Sequence, residues 1–133
     1  MSVAVRYLSR LGRTRRIAEA IAEGAGVQAF SIDDEPVLQE YVDVLFLGGA
    51  PYANVMDRRL RAYAESILPE KVGVVVLFTT SNWSRRTVVG LRRILTGKGI
   101  QVANEYFYSQ MTKVNQNIGF AKDFGKRLSE DPR

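Results

Sequence analysis

Three apolar segments constrain the fold more than anything else in the chain. Residues 71–79 (K-V-G-V-V-V-L-F-T), Val42–Gly49 (V-D-V-L-F-L-G-G) and residues 2–8 (S-V-A-V-R-Y-L) are β-branched and aromatic in character. The first two are close to continuously apolar. A strand with one wet face alternates apolar and polar residues, whereas one that is apolar throughout must be covered on both sides. Residues 27–32 (V-Q-A-F-S-I) alternate and read as a second strand, and residues 100–108 as a fifth. Between the strands, apolar residues recur at helical spacing. Ile17, Ala18, Ile21 and Ala22 do so within 14–24, with Thr14 as the expected N-cap and Gly24 or Gly26 as the stop. Leu60, Tyr63, Ala64 and Ile67 share a face within 57–68, followed by Pro69. Arg86–Gly97 is a basic helix, and 115–128 a last one. Strands alternating with helices at this spacing predict βαβ units and an α/β fold in three layers, a doubly wound, five-stranded parallel sheet with helices on both faces. Residues 1–133 are read as a single domain, with no internal repeat and no linker.

Composition narrows the chemistry. With no cysteine and no histidine, the chain has no disulfide, no thiolate and no Ser-His or Cys-His nucleophile, and it lacks the usual zinc ligands. Redox or group-transfer chemistry would therefore need a bound cofactor. No catalytic side chain and no metal site is expected. No apolar run approaches the roughly 18 residues of a membrane helix, and M-S-V-A-V-R-Y does not read as a signal peptide, so the expectation is a cytoplasmic protein without membrane insertion. The net charge of +5 is unevenly spread: Arg6, Arg10, Arg13, Arg15 and Arg16 precede the first acid, Glu19. Further clusters are Arg58, Arg59 and Arg61, then Arg85, Arg86, Arg92 and Arg93. They are either solvated helix faces or attractors of an anion, whether phosphate, nucleic acid or an acidic protein.

In a doubly wound sheet, ligands sit beyond the carboxyl ends of the strands, where the strand order reverses. Three loops leave those ends: S-R-L-G-R-T (9–14), A-P-Y-A-N-V-M-D (50–57) and T-S-N-W-S-R-R-T (80–87). In the first, Ser9 and Thr14 supply hydroxyls, Gly12 lets backbone approach a ligand, and the following helix presents free N–H groups. That is phosphate-site chemistry, unless the loop is simply a capped helix after an ordinary turn. It contains neither G-x-x-x-x-G-K-[ST] nor G-x-G-x-x-G, so nucleoside triphosphate hydrolysis and dinucleotide binding are not indicated.

Taken with its neighbours, Y-L-S-R-L-G-R-T-R-R-I-A-E-A-I-A resembles the phosphate loop and first helix of flavodoxins, where [ST]-x-T-G-x-T precedes an amphipathic I-A-x-x-I helix. D-V-L-F-L-G-G-A-P-Y is similar to the family's third strand and second flavin loop, and K-V-G-V-V-V-L-F-T-T-S to its fourth strand. The resemblance spans essentially the whole chain and is closest to the short-chain type. It implies a flavodoxin-like fold of strand order 2-1-3-4-5 that binds FMN and transfers electrons. Carried onto matching positions, it implies that Ser9, Arg10, Leu11, Gly12, Arg13 and Thr14 wrap the FMN phosphate. Pro51, Tyr52, Ala53 and Asn54 would flank one side of the flavin ring, and Thr80, Ser81, Asn82 and Trp83 the other, with Tyr52 and Trp83 as stacking aromatics.

Three departures accompany the match. Leu11 replaces a usual threonine of the phosphate loop. The second loop lacks the glycine common in flavodoxins, and Asn54, tolerant of left-handed backbone, is its substitute. Arg85 and Arg86 stand where flavodoxins are acidic, which implies a flavin potential above that of a typical flavodoxin and a redox partner with an acidic docking face. Two further readings are an FMN-dependent NAD(P)H reductase, using the basic clusters for pyridine-nucleotide phosphates, and a flavin-free binding or regulatory module. A response-regulator receiver needs an acidic pair where Ser9 and Arg10 stand, and no nucleic-acid-binding module is recognisable.

Overall fold

A computed structural model describes residues 1–133. Strand β1 (Val3–Leu8) leads into helix α1 (Arg13–Ala25), then β2 (Ala29–Ser31), β3 (Val42–Gly49) and α2 (Arg58–Ser66). There follow β4 (Val72–Thr80), α3 (Arg86–Gly97), the short strands β5 (Gln101–Val102) and β6 (Phe107–Ser109), and α4 (Val114–Glu130). The sheet is parallel in the order β2-β1-β3-β4-β5, with β6 also pairing to β4. This is the three-layer order expected from the sequence.

Period-two alternation sorts the central strands onto two cores. Leu8, Leu45, Leu47, Val75 and Leu77 pack with Leu60, Tyr63, Leu91 and Leu95 from α2 and α3. Val5, Val44, Phe46, Val76 and Phe78 pack with Ile17, Ile21, Phe124 and Leu128 from α1 and α4 on the opposite face. The apolar runs are thus covered on both sides, as their lack of alternation requires.

Two elements differ from expectation. Strand 27–32 pairs only over Ala29–Ser31, at the sheet edge. The fifth strand, expected over 100–108, is broken in two. Its first part pairs with Val74 and Val75 and its second with Phe78 to Thr80. At the break, Arg92 donates to the carbonyls of Ala103 and Asn104, and Arg127 grips Glu105 through two hydrogen bonds. Arg92 thereby satisfies carbonyls that leave the ladder and Arg127 anchors the segment through a side chain, which a propensity argument does not foresee.

Helices α1 and α4 meet backbone to backbone. A Cβ on Gly24 of α1 would overlap the carbonyl of Lys122, and one on Gly125 of α4 would overlap the carbonyl of Ile21. Glycine is about 1 kcal/mol worse than alanine within an isolated helix, so propensity opposes both residues and close packing retains them. Gly125→Ala is expected to lower stability by about 1–3 kcal/mol despite its better helix propensity, read as a reduced midpoint in urea with unchanged slope.

Candidate functional site

Register brings the three loops together. Leu8 pairs with Gly49, and Gly49 with Thr79, so β1, β3 and β4 end at one edge of the sheet. The chain moves from β1 to one side (β2) and then to the other (β3), making β1/β3 the switch point.

The first loop turns at Gly12, whose φ of 94° lies in the left-handed region open to glycine. Gly12, rather than the expected Thr14, is the N-cap of α1, and no side chain caps the helix. Thr14 instead points inward, buried, and its hydroxyl shares a 2.5 Å hydrogen bond with that of Thr80 at the end of β4. Ser9 Oγ accepts the N–H of Gly12 at 3.0 Å. The N–H groups of Leu11, Arg13, Thr14 and Arg15 have no acceptor within the protein. They form a row of donors at the positive end of a helix dipole. The cavity where Ser9, Leu11, Arg13 and Thr14 meet Tyr52 and Thr80 holds only about 10 Å³, and the Leu11 side chain is exposed beside it.

In the second loop, Tyr52 and Val55 exchange backbone hydrogen bonds at 2.9 and 3.0 Å around Ala53 and Asn54. Both intervening residues are left-handed, with φ of 50° and 61°, as a two-residue hairpin loop demands. Asn54 carries that conformation readily. Ala53 does so at a cost of roughly 1–2 kcal/mol. Arg10 ties this loop to the first: its N–H donates to the Tyr52 hydroxyl at 3.1 Å, and its guanidinium lies 3.9 Å over the Tyr52 ring. The same guanidinium pairs with Asp57 at 2.7 Å. Arg10 therefore reaches across the switch point to the start of α2 rather than into the phosphate loop.

The third loop is braced from beneath. The single Tyr108 hydroxyl proton is shared between the carbonyls of Asn82 (2.6 Å) and Ser81 (2.9 Å), and buried Ser81 donates its hydroxyl to the Ser84 carbonyl. Arg85 donates to Tyr106 Oη and to the Trp83 carbonyl, with its guanidinium 3.4 Å over the Tyr108 ring. On this support Trp83, the chain's one tryptophan, is 83% exposed. A cleft of about 550 Å³ joins Pro51 and Asn54 of the second loop to Ser81, Asn82 and Trp83 of the third, with Arg85 and Arg86 at its rim. That volume lies within the range of small-molecule sites. Ala53 and Gly12 shape their turns without lining either space.

Sequence reasoning missed Asp57, Tyr106 and Tyr108 as parts of the site. Only Asp57 carried a signal, as an acidic residue opening a helix. Its Oδ1 accepts the Arg59 N–H at 2.9 Å, capping α2, while its other oxygen holds Arg10. Burial pushes its carboxyl up, but hydrogen bonds from Arg10 and Arg59 outweigh this and hold it below the usual carboxylate range. Because the folded value is depressed, its stabilisation is present above the unfolded value of about 3.9 and lost as pH falls through the folded one. Asp57→Asn is expected to destabilise the protein by about 1–2 kcal/mol at neutral pH. In urea titrations repeated at decreasing pH, the gap from wild type should narrow below about pH 4.

No family model matches this sequence, and no curated protein matches it. The fold does have counterparts among solved structures. A flavodoxin from the domain Archaea superposes with a TM-score of 0.80 at 22% identity, covering 98% of this chain and 97% of that one. A short-chain flavodoxin associated with a non-canonical PDU bacterial microcompartment gives 0.75 at 12% identity, with full coverage of both. A mutant flavodoxin of Fusobacterium nucleatum bound to flavin mononucleotide gives 0.72 at 15% identity, covering 99% and 97%. With the observed strand order and layers, these establish that the chain has the flavodoxin-like fold.

Proposed function

We propose that this chain is a cytoplasmic electron carrier that holds FMN between its three switch-point loops. The observation that carries the reading is the row of unbonded N–H groups around left-handed Gly12, next to a cleft of ring-binding size. The donor set suits a phosphate, since backbone N–H groups at a helix start bind oxyanions without needing a lysine. Leu11 contributes its N–H whatever its side chain, which offsets the missing threonine hydroxyl. Ser9 and Thr14 act here by shaping the loop, one holding Gly12 and the other anchored on Thr80. Trp83, with Asn82 and Asn54 beside it, offers a flat face and amide groups to the ring. FMN would supply reversible electron transfer, which no side chain here can provide. Arg86, exposed and without a carboxylate partner, favours negative charge added to a ring in that cleft.

The contact of Arg10 with the Tyr52 ring favours a second reading, a flavin-free binding module, because one face of that ring is already covered. One titration separates the two. With a single tryptophan, indole emission reports on the cleft directly. FMN binding is expected to quench both the indole and the flavin, and Trp83→Ala to weaken it roughly tenfold, the worth of an aromatic pair. Unchanged emission from both fluorophores would leave the flavin-free module. In the loaded protein, Arg86→Glu should lower the midpoint potential by a few tens of millivolts, an effect that shrinks with added salt.

A further inference from the structure

Six of the 19 lysines and arginines in this protein have a carboxylate partner. Arg10, Arg15, Arg59, Lys122, Arg127 and Arg133 all make ion pairs with carboxylates. Beside the candidate cleft, four of the unpaired arginines gather in one place. A groove of about 440 Å³ between α2 and α3 is lined by Arg61, Arg85, Arg86 and Arg93, with no acidic residue. None of these four pairs with a carboxylate, and Arg61, Arg86 and Arg93 have no side-chain hydrogen bond at all. Helix α3 contains no acid anywhere along its length, and Arg86 sits at its positive end, where a cation is disfavoured.

The groove shares Asn54, Arg85 and Arg86 with the candidate flavin cleft, so the two adjoin. Exposed apolar groups accompany the charges: Val55 and Val89 in the groove and Trp83 at the cleft. Gly90 keeps the floor open, since a Cβ there would press on the methyl of Met56.

From this we infer that the α2/α3 groove and the Trp83 rim form a docking surface for an acidic protein partner, which rests on the electron-carrier reading for what the two proteins would exchange. Arg86 and Arg93 lie two turns apart on α3, about 10 Å along the axis, a spread that suits a partner face with several carboxylates better than a single phosphate group. Arginine and tryptophan around smaller apolar groups match the composition of protein interface cores, and unpaired surface charge of one sign speeds encounter with an oppositely charged protein. A nucleic-acid backbone would have little use for Val55, Val89 and Trp83.

The test uses the full chain without added flavin, so its outcome does not depend on whether FMN binds. The probe is a fluorescein-labelled peptide of alternating Glu and Leu, followed by anisotropy. Binding is expected to weaken as salt rises to physiological ionic strength, and the double variant Arg86→Glu/Arg93→Glu to raise Kd by about tenfold or more. Lys126→Glu, which makes the same kind of change to an exposed, unpaired cation on α4, should leave Kd within about twofold of wild type. Arg86→Glu puts an acid at the start of α3, which favours the helix, and circular dichroism verifies the fold of each variant. A change in log Kd for Lys126→Glu of half or more of that for the double variant, which carries twice the charge change, would mean that net charge alone binds the peptide and would overturn the proposal. So would displacement of the peptide by short duplex DNA or by NADPH at lower concentration than by an unlabelled copy.

Discussion

Burying β1, β3 and β4 on both faces leaves their backbone N–H and C=O groups no partner except one another, and the rest of the molecule is arranged around that condition. Unbroken registers run from Val3 to Leu8 against β3 and from Val44 to Gly49 against β4. The matched strand ends follow, and with them one edge where three loops emerge side by side. Two helix pairs then cover the faces, and close approach of α1 and α4 is possible only because Gly24 and Gly125 present no side chain at their crossing.

Rigidity at that edge comes from side chains that bridge loops rather than from the loops themselves. Thr14 and Thr80 join the first helix to β4, Arg10 links the first loop to Tyr52 and Asp57, and Tyr108 holds up the third loop. The polar groups left over are the N–H donors at the start of α1, the amides of Asn54 and Asn82, and the indole of Trp83. Left-handed backbone at Ala53 and Asn54 belongs to the same economy of form: the tight hairpin places Asn54 at both the cleft and the basic groove.

Charge is distributed with equal consequence. Six cations meet carboxylates, whereas beside the cleft Arg61 of α2 and Arg85, Arg86 and Arg93 at and along α3 line one groove that contains no acidic residue. Guanidinium groups without a carboxylate partner repel one another, and Arg86 works against the dipole of α3, so their mutual electrostatics does not stabilise the fold. What it does produce is a field directed outward from the candidate site. The same field acts on whatever negative charge enters the cleft and on any partner that approaches it.

Strand character, helix spacing and the alternation of the two were legible in the chain, because apolar runs at 42–49 and 71–79 permit only buried strands and the intervening periodicity only helices. From these, the parallel sheet, its layers and the three loops at its carboxyl edge follow, while the strand order was implied by the resemblance to flavodoxins. Local pattern did not reveal which side chains meet across those loops. Thr14 reads as a helix cap by sequence, yet it lies buried against a residue 66 positions away. Arg10 reads as a phosphate ligand, yet it is held by Asp57, 47 positions on. The break in the fifth strand depends on Arg92 and Arg127 from two different helices. Periodicity is a property of neighbours along the chain, so sequence alone determined the elements and their layering. Partners for individual polar groups are settled only when distant elements are packed together and each buried donor or acceptor must find what is within reach, and that was decided by the tertiary structure.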